Sequence, residues 1–194
     1  MRFDLQALIA AVRLTLRDPR GAARIIIGMR LPGSVGWAAM TLMVVASALL
    51  SSVSAMIFPM DLPPELTAMF SSPFRLAEAQ AIVLGVGLML IHGVGRMFGG
   101  TGRFSDALLL MAWMEALLIL LQVLQMVAML LLPPLASMLG FLGIAVFVWL
   151  LVNFVGELHG FGSLLKVFLA FVGTILAISF AMAFVMAAVV GMGG

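Results

Sequence analysis

Five apolar stretches, each about 20 residues or longer, leave this chain few folds to choose from. They run Ser34–Ile57, Ala77–Met97, Asp106–Leu132, Leu135–Gly156 and Leu164–Val190. A helix of about 20 residues crosses the roughly 30 Å hydrocarbon core of a bilayer. Helix breakers close each stretch: "FPMDLPPEL", "GRMFGGTGRF", the pair Pro133–Pro134, and "HGFGS". With 64% hydrophobic and 9% charged residues in a chain of 194, a water-soluble domain has no means of hiding this much apolar surface. The sequence predicts an all-α polytopic membrane protein with five transmembrane helices, at 34–57, 77–97, 106–132, 135–156 and 164–190. Residues 1–33 form a separate N-terminal segment. The third and fifth spans, about 27 residues each, are expected to tilt or protrude. Pro133–Pro134 alone separates spans three and four, which predicts a tight hairpin.

The arginines set the expected orientation. With the N-terminus inside, cytoplasmic segments carry Arg2, Arg13, Arg17, Arg20, Arg24, Arg30, Arg96, Arg103 and Lys166. The other side carries Arg75, with Asp61 and Glu65 in the external loop. Nine basic residues against one is a strong positive-inside bias, and five spans then put the C-terminus outside. Nine of the ten basic residues are arginine, and with abundant alanine this points to a GC-rich bacterial genome. The expected location is a bacterial inner membrane with a cytoplasmic N-terminus. Six arginines precede the first span, which makes that region too long and basic for the n-region of a cleaved signal peptide.

Residues 2–17, "RFDLQALIAAVRLTLR", have helical period. Leu5, Leu8, Ile9, Val12 and Leu16 share one face, with Arg2, Gln6, Arg13 and Arg17 beside it. An amphipathic helix of this kind lies at a membrane interface and attracts anionic headgroups. The alternative is a helix docked on the protein's own surface. "DPRGAARIIIGMRLPG" follows, with a helix too short and too basic to span. Arg2, Arg13, Arg17, Arg20, Arg24 and Arg30 are the candidate membrane-surface residues.

Lipid tails are as apolar as leucine, so helices associate in a bilayer through close backbone approach or polar contacts. Span two offers Ala77, Ala81 and Gly85, and span five offers Ala170, Thr174, Ala177 and Ala181, as small-residue stripes for packing. Glu115 is the most costly polar residue. Ser105 and Asp106 are placed to cap the third span, and Glu115 then lies about 13 Å along it. An ionised carboxylate there costs about 3 kcal/mol on insertion scales, so it is expected to face protein. Gln122 falls on the same face and Gln125 on its flank. His92, Thr41 and Thr174 complete the candidate intramembrane network. Glue between helices and the lining of a cavity or relay are both open readings of this stripe.

A second set gathers at the expected cytoplasmic rim: Arg96, Arg103, Asp106, Asn153, Glu157, His159 and Lys166. Glu157–Lys166 and Asp106–Arg103 are its expected ion pairs. Interfacial anchoring and a headgroup or partner site are the two readings. Trp113 and Trp149 are expected to pack inside the bundle.

No catalytic or cofactor pattern appears. There is no H-E-x-x-H, no G-x-S-x-G and no intramembrane aspartate pair. The absence of cysteine excludes disulfides and thiolate ligands, and neither His92 nor His159 has a second ligand at metal spacing. The net charge of +2 is no nucleic-acid signature. No enzyme activity, cofactor or metal is expected.

Several motifs resemble the Yip domain family, the Ypt/Rab-interacting membrane proteins of the Yip-one type. They are Gly99–Gly100, Phe104, Asp106–Ala107–Leu108 and Trp113 at the start of span three, "PPLASMLG" at span four, "ELHGFGSLLKVFLA" between spans four and five, and "DPRGAARIIIG" before span one. The resemblance implies a five-span, non-enzymatic membrane protein. Eukaryotic members are associated with Rab proteins and vesicle trafficking through a longer cytosolic N-terminal region. About 33 residues precede the first span here, so Rab binding is not carried over. The expected function is membrane organisation or protein interaction, through a homo-oligomer or a membrane-protein partner. The alternative is permeation of a small solute, ion or lipid along the Glu115–Gln122 face.

Overall fold

The computed structural model describes residues 5–58, 63, 67, 70 and 72–192, with side chains omitted at 185, 186 and 188–192. All regular structure among the described residues is helical. The elements are α1 (Leu5–Arg17), α2 (Pro19–Gly28), α3 (Gly33–Ile57), α4 (Pro73–Met97), α5 (Phe104–Leu131), α6 (Pro133–His159) and α7 (Leu164–Met192). The last five are long and apolar enough to cross a membrane. The expected five-span all-α architecture therefore holds, and the chain is a multi-pass membrane protein. Arg2, Asp61 and Glu65 lie outside the described residues.

Local chemistry sets the helix ends. Asp18 caps α2 by accepting the Gly21 N–H at 2.8 Å, and Pro19 supplies the first helical φ. Ser72 and Pro73 start α4 the same way, with the Ser72 hydroxyl accepting the Arg75 N–H. That cap places the start of α4 before Ala77, in a stretch that reads as loop by hydropathy alone. Leu132 (φ −155°, ψ 85°) both ends α5 and begins α6, with Pro133 at the first helical position. At the other end Gly160 closes α6 in the left-handed region at φ 72°. Ser105 and Asp106 do not cap α5: Arg103 is the N-cap residue and no side chain bonds there.

Helix α5 is the axis. It packs against α2, α3, α4 and α6, and its Leu108, Leu110, Met111 and Met114 are buried among Met40, Val44, Leu88, Leu150 and Phe154. Gly36 lets α3 approach, since a Cβ there would lie 2.9 Å from the Leu108 side chain. The small-residue stripe of α4 packs only in part: Ala77 lies against the core, and the rest of the stripe does not. Ala81 is exposed, and a Cβ at Gly85 would meet nothing within 4 Å. The protein-facing side of α4 is instead the neighbouring strip of Leu76, Leu84, Leu88 and Gly95. In α7, Ala177 and Ala181 are exposed, and the helix packs mainly on α6.

The N-terminal segment folds back on the bundle. Ala22 and Ala23 of α2 are buried, and Val12, Ile26 and Ile27 pack against the main core. α1 lies on α2.

Candidate functional site

Two polar constellations sit on this scaffold, one inside the bundle and one at the end that carries α1 and α2. Inside, Glu115 is 7% exposed on α5. Its carboxyl accepts a hydrogen bond from the Gln80 amide of α4, and the Ser47 hydroxyl of α3 lies beside it. Three helices thus meet at one acid. Two turns further along α5, the Gln122 amide donates to the Ser51 hydroxyl of α3 at 3.1 Å. Gln125 faces α6 at Gly140, where a Cβ would come within 3.1 Å of its amide nitrogen. The polar stripe of α5 is thus a ladder bonded to α3 and α4, with Gln125 lying against α6.

Three residues expected in this network do not join it. Thr41 is exposed on the outer side of α3. Thr174 donates its hydroxyl to Ala170 of its own helix at 2.8 Å, the usual fate of a helix threonine without a neighbour. His92 lies twelve residues from Gln80, about 18 Å along α4, and packs edge-on against Phe104 at 5.6 Å between centroids. Gln80 is the partner that sequence reading missed. Its signal was available: it is the one amide in the second span, on the strip shared with Leu84 and Leu88.

At the other end, Glu157 takes two guanidinium partners from α2. Arg20 Nε donates to Oε2 at 3.0 Å and Arg24 Nε to Oε1 at 2.9 Å. Arg20 also donates through Nη2 to the Phe161 carbonyl at 3.1 Å. The hydrogen bond to Glu157 raises the Arg24 guanidinium above its already high value, so its charge is fixed at any working pH. The expected Glu157–Lys166 pair is absent. Docking α2 on α6 places two arginines, one turn apart, ahead of Lys166, which is exposed. No Asp106–Arg103 pair forms either. Asp106 is 4% exposed, and its Oδ1 has no hydrogen-bond partner among the described residues.

His159 is the pin of this end. It is 3% exposed. The Gly102 N–H donates to Nδ1 at 3.3 Å, which places the proton on Nε2, 3.1 Å from the Ile91 carbonyl. Phe161 stacks on the ring at 5.5 Å. A Cβ at Gly95, Gly100 or Gly102 would run into His159. The glycine-rich stretch therefore forms a cradle for an imidazole from α6. Asn153 is buried nearby on α6 and donates to the Trp149 carbonyl at 2.8 Å.

A second joint holds α1. Thr15 is 1% exposed, donates to the Ala11 carbonyl at 2.8 Å, and accepts the Trp113 indole N–H at 3.0 Å. Trp113 thus packs inside, as expected, whereas Trp149 is 39% exposed. Arg13, Arg17, Arg30, Arg96, Arg103 and Lys166 are all exposed and form no ion pair among the described residues. Between α4, α5 and α6 lies a cavity of about 10 Å³ lined by apolar side chains, among them Ile91, Met111 and Phe154. That is at the lower limit for one water and offers it no polar partner. Among the described residues, no cluster of His, Asp or Glu is placed to hold a metal ion.

Neither the curated proteins nor the solved structures contain a match to this chain. The family model of the Yip1 domain matches residues 13–187, from the last turns of α1 into α7. The helices that make up both polar constellations fall within that match, and the chain belongs to the Yip1 domain family.

Proposed function

We propose that this chain is a non-enzymatic organiser of its membrane, which couples a rigid helical bundle to an anionic leaflet through its N-terminal hairpin. The observation that carries this reading is the way α1 is mounted. Helical periodicity gives α1 three sides. Thr15 and Ala11 face the protein. Leu5, Ile9 and Leu16 stay 60%, 43% and 50% exposed. Arg13 and Arg17 follow on the next side, also exposed. An open apolar strip beside a basic one suits insertion at the level of anionic headgroups. Docking and interfacial binding, which read as alternatives in sequence, are thus compatible on different sides of one helix.

The Arg20–Glu157–Arg24 lock joins α2 to α6 and the Thr15–Trp113 hydrogen bond joins α1 to α5, so leaflet contact is transmitted to the bundle. The concentration of basic residues at this end supports a cytoplasmic N-terminus in a bacterial inner membrane. The mostly unpacked face of α7 supports a homo-oligomer or a membrane-protein partner. The engagement of Glu115 by Gln80 and Ser47 favours interhelical glue over a permeation path.

The chain lacks cysteine, so Ile9→Cys gives a unique labelling site. An environment-sensitive dye there is expected to shift to the blue in phosphatidylglycerol nanodiscs relative to phosphatidylcholine ones. Arg13→Gln with Arg17→Gln should abolish the difference. Identical, water-like emission in both lipids overturns the reading.

A further inference from the structure

His159 is a titratable group for which leaflet contact has no use, and it is buried with both ring nitrogens committed. The ring is 3% exposed. Nδ1 accepts the Gly102 N–H at 3.3 Å, and Nε2 donates to the Ile91 carbonyl at 3.1 Å. One neutral tautomer satisfies that pair of bonds. A second proton would land on Nδ1 and meet the Gly102 N–H, donor against donor. Gly95, Gly100 and Gly102 lie against the ring, which leaves little space for a water to accept that proton.

The surroundings offer a cationic ring no partner. The charged groups that act on it are Arg96 and His92 of α4, both of like sign when protonated. Arg103 and Asp106, at the start of α5, form no ion pair with it. Glu157, two residues earlier on α6, is taken up by Arg20 and Arg24. A helix C-terminus ordinarily favours a cationic histidine. Here two of the last carbonyls of α6 already accept the N–H groups of Gly160 and Phe161, and the ring is turned toward α4. The ring is also connected to the hairpin. Phe161 stacks on it at 5.5 Å and gives its carbonyl to Arg20 Nη2 at 3.1 Å. A histidine that leaves its cradle removes the support of Phe161, and with it one anchor of the guanidinium that holds α2.

We propose that His159 is an acid-sensitive latch. As a neutral imidazole it fastens the turn at 99–102 to α6 and, through Phe161, steadies the hairpin of α1 and α2. A proton taken up from the side that carries the hairpin releases both. The closed latch has no place for this proton, whereas a freed imidazole titrates at about 6.5. The closed form is therefore fully favoured above that pH and loses about tenfold for each unit below it. That acidity would weaken leaflet contact rests on the functional reading; the latch itself does not.

Two spin labels test it, at Ile9→Cys on α1 and at Leu42→Cys, an exposed position of α3. Their distance distribution reads hairpin detachment in phosphatidylcholine nanodiscs, which hold no anionic lipid. The detached fraction should rise about tenfold from pH 7.5 to pH 5.5. Glu157, paired with two guanidiniums, stays ionised across this window. His159→Gln supplies a neutral amide and should abolish the rise. A second readout leaves position 159 untouched. The chain has two histidines, so His92→Gln leaves the His159 ring alone in nitrogen magnetic resonance spectra. That ring should show the Nε2–H tautomer at pH 7.5, and its doubly protonated form should appear together with the detached population. A ring that protonates while the hairpin stays docked overturns the proposal. So does an unchanged detached fraction, or an equal rise in His159→Gln. If the latch behaves as described while the dye on α1 does not distinguish the two lipids, the functional reading fails and the latch stands.

Discussion

Two carboxylates in this bundle are held in opposite ways. Glu157 lies where water still reaches, with its side chain 16% exposed, and it takes two full charges as partners. Glu115 lies inside and takes an amide and a hydroxyl. The difference follows from solvation. Long arginine side chains on α2 keep part of their guanidinium in water while bonding an acid. At mid-depth a cation would add its own insertion cost, and neutral donors hold the acid without one. The first arrangement is a lock between two parts of the molecule. The second is a rung of a ladder between spans.

The two constellations should therefore break differently. The largest effect is expected at the locked end, where close packing leaves no slack. A Cβ at Gly102 would lie 2.8 Å from the Leu158 carbonyl oxygen and 2.7 Å from its side chain. Backbone cannot give way as a flexible side chain can, so Gly102→Val should destabilise the bundle by about 3 kcal/mol. Unfolding in mixed micelles measures it. Gly93→Ala is the matched control: a Cβ there meets nothing within 4 Å. It should gain about 0.5–1 kcal/mol from helix propensity. Equal behaviour of the two variants would mean that the imidazole cradle is not a rigid element.

Glu157→Ala comes next and should act locally. It removes both ion pairs at once, while the spans keep their packing. Spin labels at Ile9→Cys should show roughly tenfold more detached hairpin, with little change in unfolding of the spans. If the spans lose stability to the same degree, the hairpin and the spans unfold as one unit and the distinction between lock and ladder fails.

The five spans and the tight Pro133 turn were legible because span length and proline chemistry are local properties. The cradle was legible only as a turn. Glycine content says that something approaches closely, and it does not say that a histidine 57 residues away supplies the contact. The partners of Glu115 were not legible. Thr41, Thr174 and His92 were expected beside it and do not join it, and Gln80 sits a turn inside a stretch that also holds Glu78 and so resembles a helix end. The α4 stripe misled because small residues permit close packing and do not compel it. Which side of a helix faces protein depends on rotation about its axis, and in a uniformly apolar segment that rotation leaves little trace in sequence.

Within the ladder, Glu115 is the stronger rung. Glu115→Leu leaves the Gln80 amide without its acceptor and should cost about 1–2 kcal/mol, the upper range for interhelical bonds in membranes. Glu115→Gln preserves an acceptor for Gln80 and should be nearly neutral. A large loss on Glu115→Gln would indicate that the charge or proton of the acid matters, and would reopen the permeation reading.

The smallest effect belongs to Gln122. It joins α5 to α3 through the Ser51 hydroxyl alone, both groups are partly exposed, and neither carries charge. Gln122→Leu should cost about 0.6 kcal/mol, the average for such pairs, because the separated helices also find other partners. Ser51→Ala should cost a similar amount, and the double variant no more than either alone, since each change removes the same bond. A double-mutant cycle in mixed micelles reads that coupling directly. Strict additivity would mean that the two side chains act independently and that α5 holds α3 through its apolar contacts and Glu115.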